Sequence, residues 1–174
     1  MALSSIVNDL KTAMVATLKG ASDVLTALRE GVKTQVVGGL NDVSDVVEAA
    51  VLSAKDVGTS LVDAVKDSVS VAVMAVSETG GDVIAASGKA VSGAVVAASE
   101  VGEDIGKVAV LAVEGAIGAV GKAGKDTGEA TKVAVSSVVR AADGIGAEAG
   151  KSVRDALMAT ASLPKDLVES ALKG

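Results

Sequence analysis

Written in rows of eleven from Ala2, the chain aligns with itself without a gap through fifteen full rows and a partial sixteenth, LVESALKG. VGEDIGKVAVL (101–111) and AVEGAIGAVGK (112–122) carry apolar residues at the same places. With the positions labelled a to k, positions a, b, e, f and i hold one charged residue, Arg29; the others hold the remaining 37 of 38. Eleven residues in three turns is about 3.67 per turn, close to the 3.6 of an α-helix. On that helix positions h, a, e, i, b and f lie side by side and form an apolar arc of roughly 165°, wider than a two-stranded coiled-coil seam. Strand alternation fails as a reading, because apolar pairs such as Val46-Val47 and Val95-Val96 recur with period eleven and not two.

The expected fold is therefore all-α: a long amphipathic helix of sixteen 11-residue repeats with a 22-residue super-repeat. Residues 1–163 read as one continuous helix and 164–174 as a short C-terminal helix. Pro164 marks that boundary, and Ser162 is a candidate cap. Unbroken, the chain would be about 260 Å long at 1.5 Å per residue. Glycine-rich points at 38–39, 80–81, 121–128 and 144–146 are candidate bends or hairpin turns. The register passes through all of them, which favours a continuous or gently bent helix over folded-back hairpins.

The arc needs a cover. There is no Phe, Trp, Tyr, Cys or His, and Ala and Val dominate an apolar content of 49%. A core without aromatic bulk requires close contact between small side chains. Mean hydropathy is +0.52, which argues against disorder by composition. A helix this apolar on one side must meet its own chain, a copy, or lipid. The residues expected to face lipid or a core are Val46, Val47, Leu61, Val65, Val83, Ile84, Val91, Val95, Val101, Ile105, Val113, Ile117, Val120 and Val138.

The polar face is sorted by sign. One margin of the arc, position j, carries Lys11, Lys33, Lys55, Lys66, Lys132, Arg154 and Lys165. Toward the other margin lie Asp23, Asp45, Asp56, Asp67, Glu78, Glu100 and Asp155 at k, with Asp82, Asp104, Asp126 and Glu148 at d. Helices lying side by side on one surface would bring a basic flank against an acidic flank only if parallel. Pairs of this kind contribute ~0–1 kcal/mol each when exposed, but a row of them sets direction and register. The alternative is a solvated face with pairs along one helix, such as Glu103–Lys107. Three Gly-x-x-x-Gly pairs, Gly102/Gly106, Gly124/Gly128 and Gly146/Gly150, recur every 22 residues and read as notches for close helix contact.

In this arrangement the chain resembles the lipid-surface 11-mer proteins: synucleins, exchangeable apolipoproteins and perilipins. The phrases that carry the likeness are Glu30-Gly31-Val32-Lys33-Thr34, similar to a permuted synuclein motif, and the Ala/Val/Gly-rich stretch Gly88–Gly121. The resemblance covers nearly the whole chain as a pattern and only short phrases as sequence. It implies a helix ordered by lying on a membrane or lipid droplet. Two departures stand against it: one margin here is acidic, and the net charge is −6, unfavourable for anionic lipid.

Little chemistry is legible. Gly144–Ser152 approaches a phosphate-binding loop but lacks glycine at position 145 and a preceding strand. Ser162-x-x-Lys165 matches a β-lactamase tetrad without its companion motifs. The acidic pairs Glu103-Asp104 and Asp42/Asp45 lack a calcium-loop pattern. No enzyme, metal or cofactor is expected, and the acidic balance disfavours nucleic acid. The N-terminus lacks a signal-peptide pattern, and no run suffices to span a bilayer. The expected location is cytoplasmic, or peripheral at a membrane or lipid surface. The leading expectation is a structural protein that covers a hydrophobic, lipid-like surface and associates with parallel copies into a coat, tube or filament. The alternatives are a soluble helical bundle or right-handed coiled coil serving as spacer or binding module, and a stress or desiccation protectant.

Overall fold

A computed structural model describes residues 3–17, 24–37, 42–56 and 60–174. They form α1 (Leu3–Thr17), α2 (Val24–Val37), α3 (Val43–Asp56), α4 (Leu61–Glu78), α5 (Val83–Glu100), α6 (Ile105–Lys122), α7 (Thr127–Ile145), α8 (Ala147–Ala159) and α9 (Lys165–Lys173). The all-α expectation holds; the single long helix does not. Short helices fold back on one another instead.

The cause lies in three repeated turns. At each, a glycine takes a left-handed conformation that only glycine adopts cheaply: Gly80 (φ 75°), Gly102 (φ 71°) and Gly124 (φ 71°). The amides of Gly81, Glu103 and Lys125 then reach back to the carbonyls of Val76, Ala98 and Val120, closing Schellman-type ends on α4, α5 and α6. One residue later an aspartate starts the next helix. Asp82 accepts from the Ala85 amide at 3.0 Å, Asp104 from the Lys107 amide at 3.0 Å, and Asp126 from the Gly128 and Glu129 amides at 2.8 and 3.0 Å. Stop and start are thus compressed into Gly-x-Asp, a turn of four residues.

Helix plus turn makes 22 residues, so α4 to α7 begin at Leu61, Val83, Ile105 and Thr127. The register survives the turns because each turn completes the second eleven. Turns at 80–81 and 123–126 and the break at Gly146 fall where bends were anticipated; the turn at 101–104 was not anticipated, and 38–39 lies outside the described residues. Gly146 is extended (φ 164°), and its amide closes α7 on Ala142. Pro164, not Ser162, occupies the N-cap of α9.

Substantial contacts among the described helices join each one to the next and to the next but one. The helices therefore stack in two layers, α1-α3-α5-α7-α9 and α2-α4-α6-α8. Short connections make successive helices antiparallel, and helices adjacent within a layer run parallel. Such an array is held by nearest-neighbour contacts alone. A central helix meets four neighbours, and this consumes the broad arc: α5 buries Ala86, Gly88, Ala90, Val91, Gly93, Ala94, Val95, Ala97 and Ala98. At one end α8 buries only Gly150, Val153 and Leu157, and α9 only Val168.

Of the residues expected to face lipid or a core, Val46, Val47, Val65, Val83, Val91, Val95, Val113, Val120 and Val138 lie in the buried cluster. Leu61, Ile84, Ile105 and Ile117 pack against it half-buried, and Val101 is the half-buried C-cap of α5. The arc is covered by the chain itself. No described helix is long and apolar enough to cross a membrane.

Candidate functional site

The feature with the most built-in specificity is the seam between parallel neighbours within a layer. Position j of one helix faces the second helix along, and the flank charges meet there. Lys11 pairs with Asp56, and Lys33 with Glu78 at 3.2 Å, each 45 residues on. Lys55 lies 3.8 Å from Glu103, and Lys66 3.0 Å from Glu114, each 48 residues on. An offset that stays between 45 and 48 residues is the signature of parallel packing. Lys55 also donates to the Val101 carbonyl at 2.6 Å, a carbonyl left free at the end of α5. Arg29, the lone charge in the arc positions, reaches Asp67 of α4 through Nε at 3.0 Å and Nη2 at 2.6 Å. Lys89 joins α5 to Asp42 at 3.0 Å, ahead of α3.

Two of these acids are held below the usual carboxylate range. Burial pushes Asp42 up, but the Ser44 amide and the Lys89 ammonium outweigh it. Burial likewise opposes ionisation of Glu114, and the Ser162 hydroxyl together with Lys66 more than offsets it.

Backbones approach closely along the same seams. A methyl carbon built on Gly93 of α5 would stand 3.0 Å from the Ser44 carbonyl carbon of α3, and closer still to its oxygen. One on Gly115 of α6 would stand 3.0 Å from the Lys66 carbonyl oxygen of α4. Gly106 of α6 approaches the Ser152 carbonyl oxygen of α8, where the added carbon would stand at 2.9 Å. Gly93 and Gly115 share block position d, 22 residues apart.

Several expected roles are corrected. Gly102 and Gly124 occupy the turns, with open space around them, and are not helix notches. Gly146 links α7 to α8 and also faces open space. Gly128 lies at the start of α7, near Asp126, and Gly150 lies against Asp143. Asp82, Asp104 and Asp126 are helix caps rather than a lateral flank. Arg154 turns back to Asp143, bonding at 2.8 and 2.7 Å, and this holds the Asp143 carboxyl low. Asp155 pairs within α8 with Lys151 at 3.8 Å. Lys132, Lys165 and Asp45 are exposed, Glu148 lines a cleft, Glu100 ends α5, and Asp23 lies outside the described residues.

Sequence reasoning missed the seam partners Glu103 and Glu114 and the contact glycines Gly93 and Gly115. Their signals were present: acids at position c, and glycines at d with the 22-residue spacing.

Catalytic arrangements are weak. Gly144–Ser152 spans the end of α7 and the start of α8 with no strand before it. Ser162 is engaged by Glu114 and by Thr160 at 2.8 Å. An open cleft of about 750 Å³ is lined by Glu103, Asp104, Ile105, Ile145 and Glu148 among others; its rim is acidic and shallow. Among the described residues no group of three or more acids is placed to hold a metal ion. No protein-family model and no curated protein matches the chain.

Proposed function

We propose that this chain is a non-enzymatic scaffold: a helical-repeat spacer or binding module whose layers present two extended outer faces. The observation that carries this reading is that each helix spends its apolar arc on the helices one and two places along the chain. An array stabilised in that way needs no external surface to fold, and its length is set by repeat number. Outer faces of this type bind by shape and charge spread over several helices. The flank charges hold the helices in parallel register rather than standing ready for a substrate.

A lipid-surface role is the second reading, and one observation favours it. The residues that fill the core are the ones a long helix would lay on lipid, and a 22-residue helix-turn unit keeps its phase if the turns open. Lateral assembly with copies belongs to this reading, since straightened helices would again offer their flanks to neighbours.

Circular dichroism and light scattering in lipid-free buffer separate the two. The scaffold reading expects full helicity and a monodisperse monomer, unchanged by phosphatidylcholine or mixed anionic vesicles. A chain that becomes helical only with vesicles would overturn it and leave the lipid reading in possession.

A further inference from the structure

A hydroxyl inside a helix commonly bonds to the carbonyl one turn back, and Thr12, Thr34, Ser53, Ser92 and Thr131 do so here. Ser162 does something else. It stands exposed in the bend between α8 and α9, and its hydroxyl donates to the Glu114 carboxylate of α6, 48 residues earlier. Thr160 Oγ1 lies 2.8 Å from Ser162 Oγ and accepts from the Ser162 amide at 3.3 Å. Since the one Ser162 hydroxyl proton is engaged with Glu114, Thr160 is the donor in the contact between the two hydroxyls. The other Glu114 oxygen takes Lys66 of α4 at 3.0 Å. One carboxylate thus gathers α4, α6 and the connector into α9.

That connector and α9 close the last repeat. Leu163, beside Ser162, is 5% exposed and Val168 1%, and both belong to the continuous core. α9 packs on α7 and more lightly on α8. With nine residues it is half the length of α4, too short to hold a helix alone, so it depends on this docking.

We propose that Ser162 is a modification site: transfer of a phosphoryl group to its hydroxyl releases the connector from Glu114 and detaches α9 from α7. In the transfer the Oγ–P bond forms, the bond from phosphorus to the diphosphate of a nucleoside triphosphate breaks, and the hydroxyl proton leaves. The departing proton is the one that Glu114 holds. Its replacement carries a charge of about −1.5 to −2 and strong acceptor oxygens, and it meets a carboxylate whose counter-ion is the single Lys66. Exposed Lys165 and the N-terminus of α9 draw the phosphate the other way. Access is built in, because residues 160–164 are non-helical and an enzyme can take up this backbone without unwinding a helix. The switch requires the folded array and no particular partner of its faces.

Hydrogen exchange on the full chain, with phosphoserine placed at position 162 by semisynthesis, tests this. Amides of α9 should exchange about tenfold or more faster than in the unmodified chain, the scale of one lost charge-assisted hydrogen bond, while those of α3–α5 hold their protection. Ser162→Ala, which removes the bond without adding charge, should show a smaller loss. Glu114→Gln on the phosphorylated chain, whose amide can donate to the phosphate, should restore protection; if that variant fails to fold, high salt should do so by screening. Protection equal to or above the unmodified chain, a loss no larger than in Ser162→Ala, or a loss that neither Glu114→Gln nor salt reduces overturns the switch. Mass spectrometry of the chain from its native cells reads the modification itself. Phosphate on Ser162 is the expected result, and its absence throughout, with the peptide covered, refutes the site.

Discussion

Two seams built on one rule behave differently. In α3–α5 and in α4–α6, a glycine at position d (Gly93, Gly115) lies against the backbone at position j of the helix two places earlier (Ser44, Lys66). An acid at c accompanies each, Glu48 on α3 and Glu114 on α6. In α4–α6 the acid meets Lys66 and Ser162, and the pairing holds its carboxyl low. In α3–α5 burial raises the Glu48 carboxyl to about 7, and the neighbouring Glu100 and Asp45 charges add to it. The tighter backbone contact thus coincides with the less favourable electrostatics. The repeat fixes where helices touch; the residue at each repeat position decides how firmly they hold and at which pH.

The largest effect expected from this contrast is at Gly93. Gly93→Ala places a methyl against the Ser44 carbonyl, where only backbone can give way, and should cost about 2–3 kcal/mol as overpacking does. Chemical denaturation reads it directly. Gly115→Ala meets a looser contact with Lys66 and should cost about 1 kcal/mol, so a cost equal to that at Gly93 would break the distinction between the seams.

Next comes charge. Lys66→Glu should lower stability by about 1 kcal/mol, because Glu114 is partly buried and loses its counter-ion, and adding Glu114→Lys should restore part of it. A double-mutant cycle with no coupling would remove the ion pair from the seam. The pH profile sharpens the same comparison. The Glu114 contribution is present at neutral pH and lost as pH falls through its lowered value, whereas the Glu48 contribution is lost as pH rises through about 7. Lys66→Ala should therefore flatten the acid limb of a thermal-stability profile, and Glu48→Gln the neutral limb.

The smallest effects are at sites where nothing is in the way. Gly118→Ala lies inside α6 with open space around it and should stabilise by about 0.5–1 kcal/mol through helix propensity. Ser68, buried in α4 with its hydroxyl unpaired, should tolerate Ser68→Ala with neutral or slightly raised stability.

Much of this was legible in the sequence, and the failures have physical reasons. The helical period and most members of the core follow from the 11-residue pattern, while of the expected flank charges only Lys11–Asp56 and Lys33–Glu78 meet as the pattern pairs them. The flanks meet within one chain, however, and the pattern could not say so, because a surface, a copy or the chain itself satisfies an apolar arc equally well. Gly102 and Gly124 were misread because a glycine four residues before another also suits a helix contact. The aspartate two places on, Asp104 or Asp126, was the discriminating residue, and its capping role was hidden by its place among the acids of one margin. Gly93 and Gly115 went unremarked because a lone glycine in an Ala/Val-rich helix does not reveal what it touches. Glu48 differs from Glu114 in having the acids Glu100 and Asp45 beside it where Glu114 has Lys66 and Ser162, and Glu100 lies 52 residues away, where no local pattern announces it.

Small-angle X-ray scattering of the full chain in lipid-free buffer bears most directly on the folded-back array. Compact packing of 174 residues implies a radius of gyration of about 16 Å, rising to roughly 20 Å for an elongated stack. A value in that range is the expected result. An unbroken helix of about 260 Å would scatter as a rod with a radius of gyration near ~75 Å, and that result would contradict the two-layer fold.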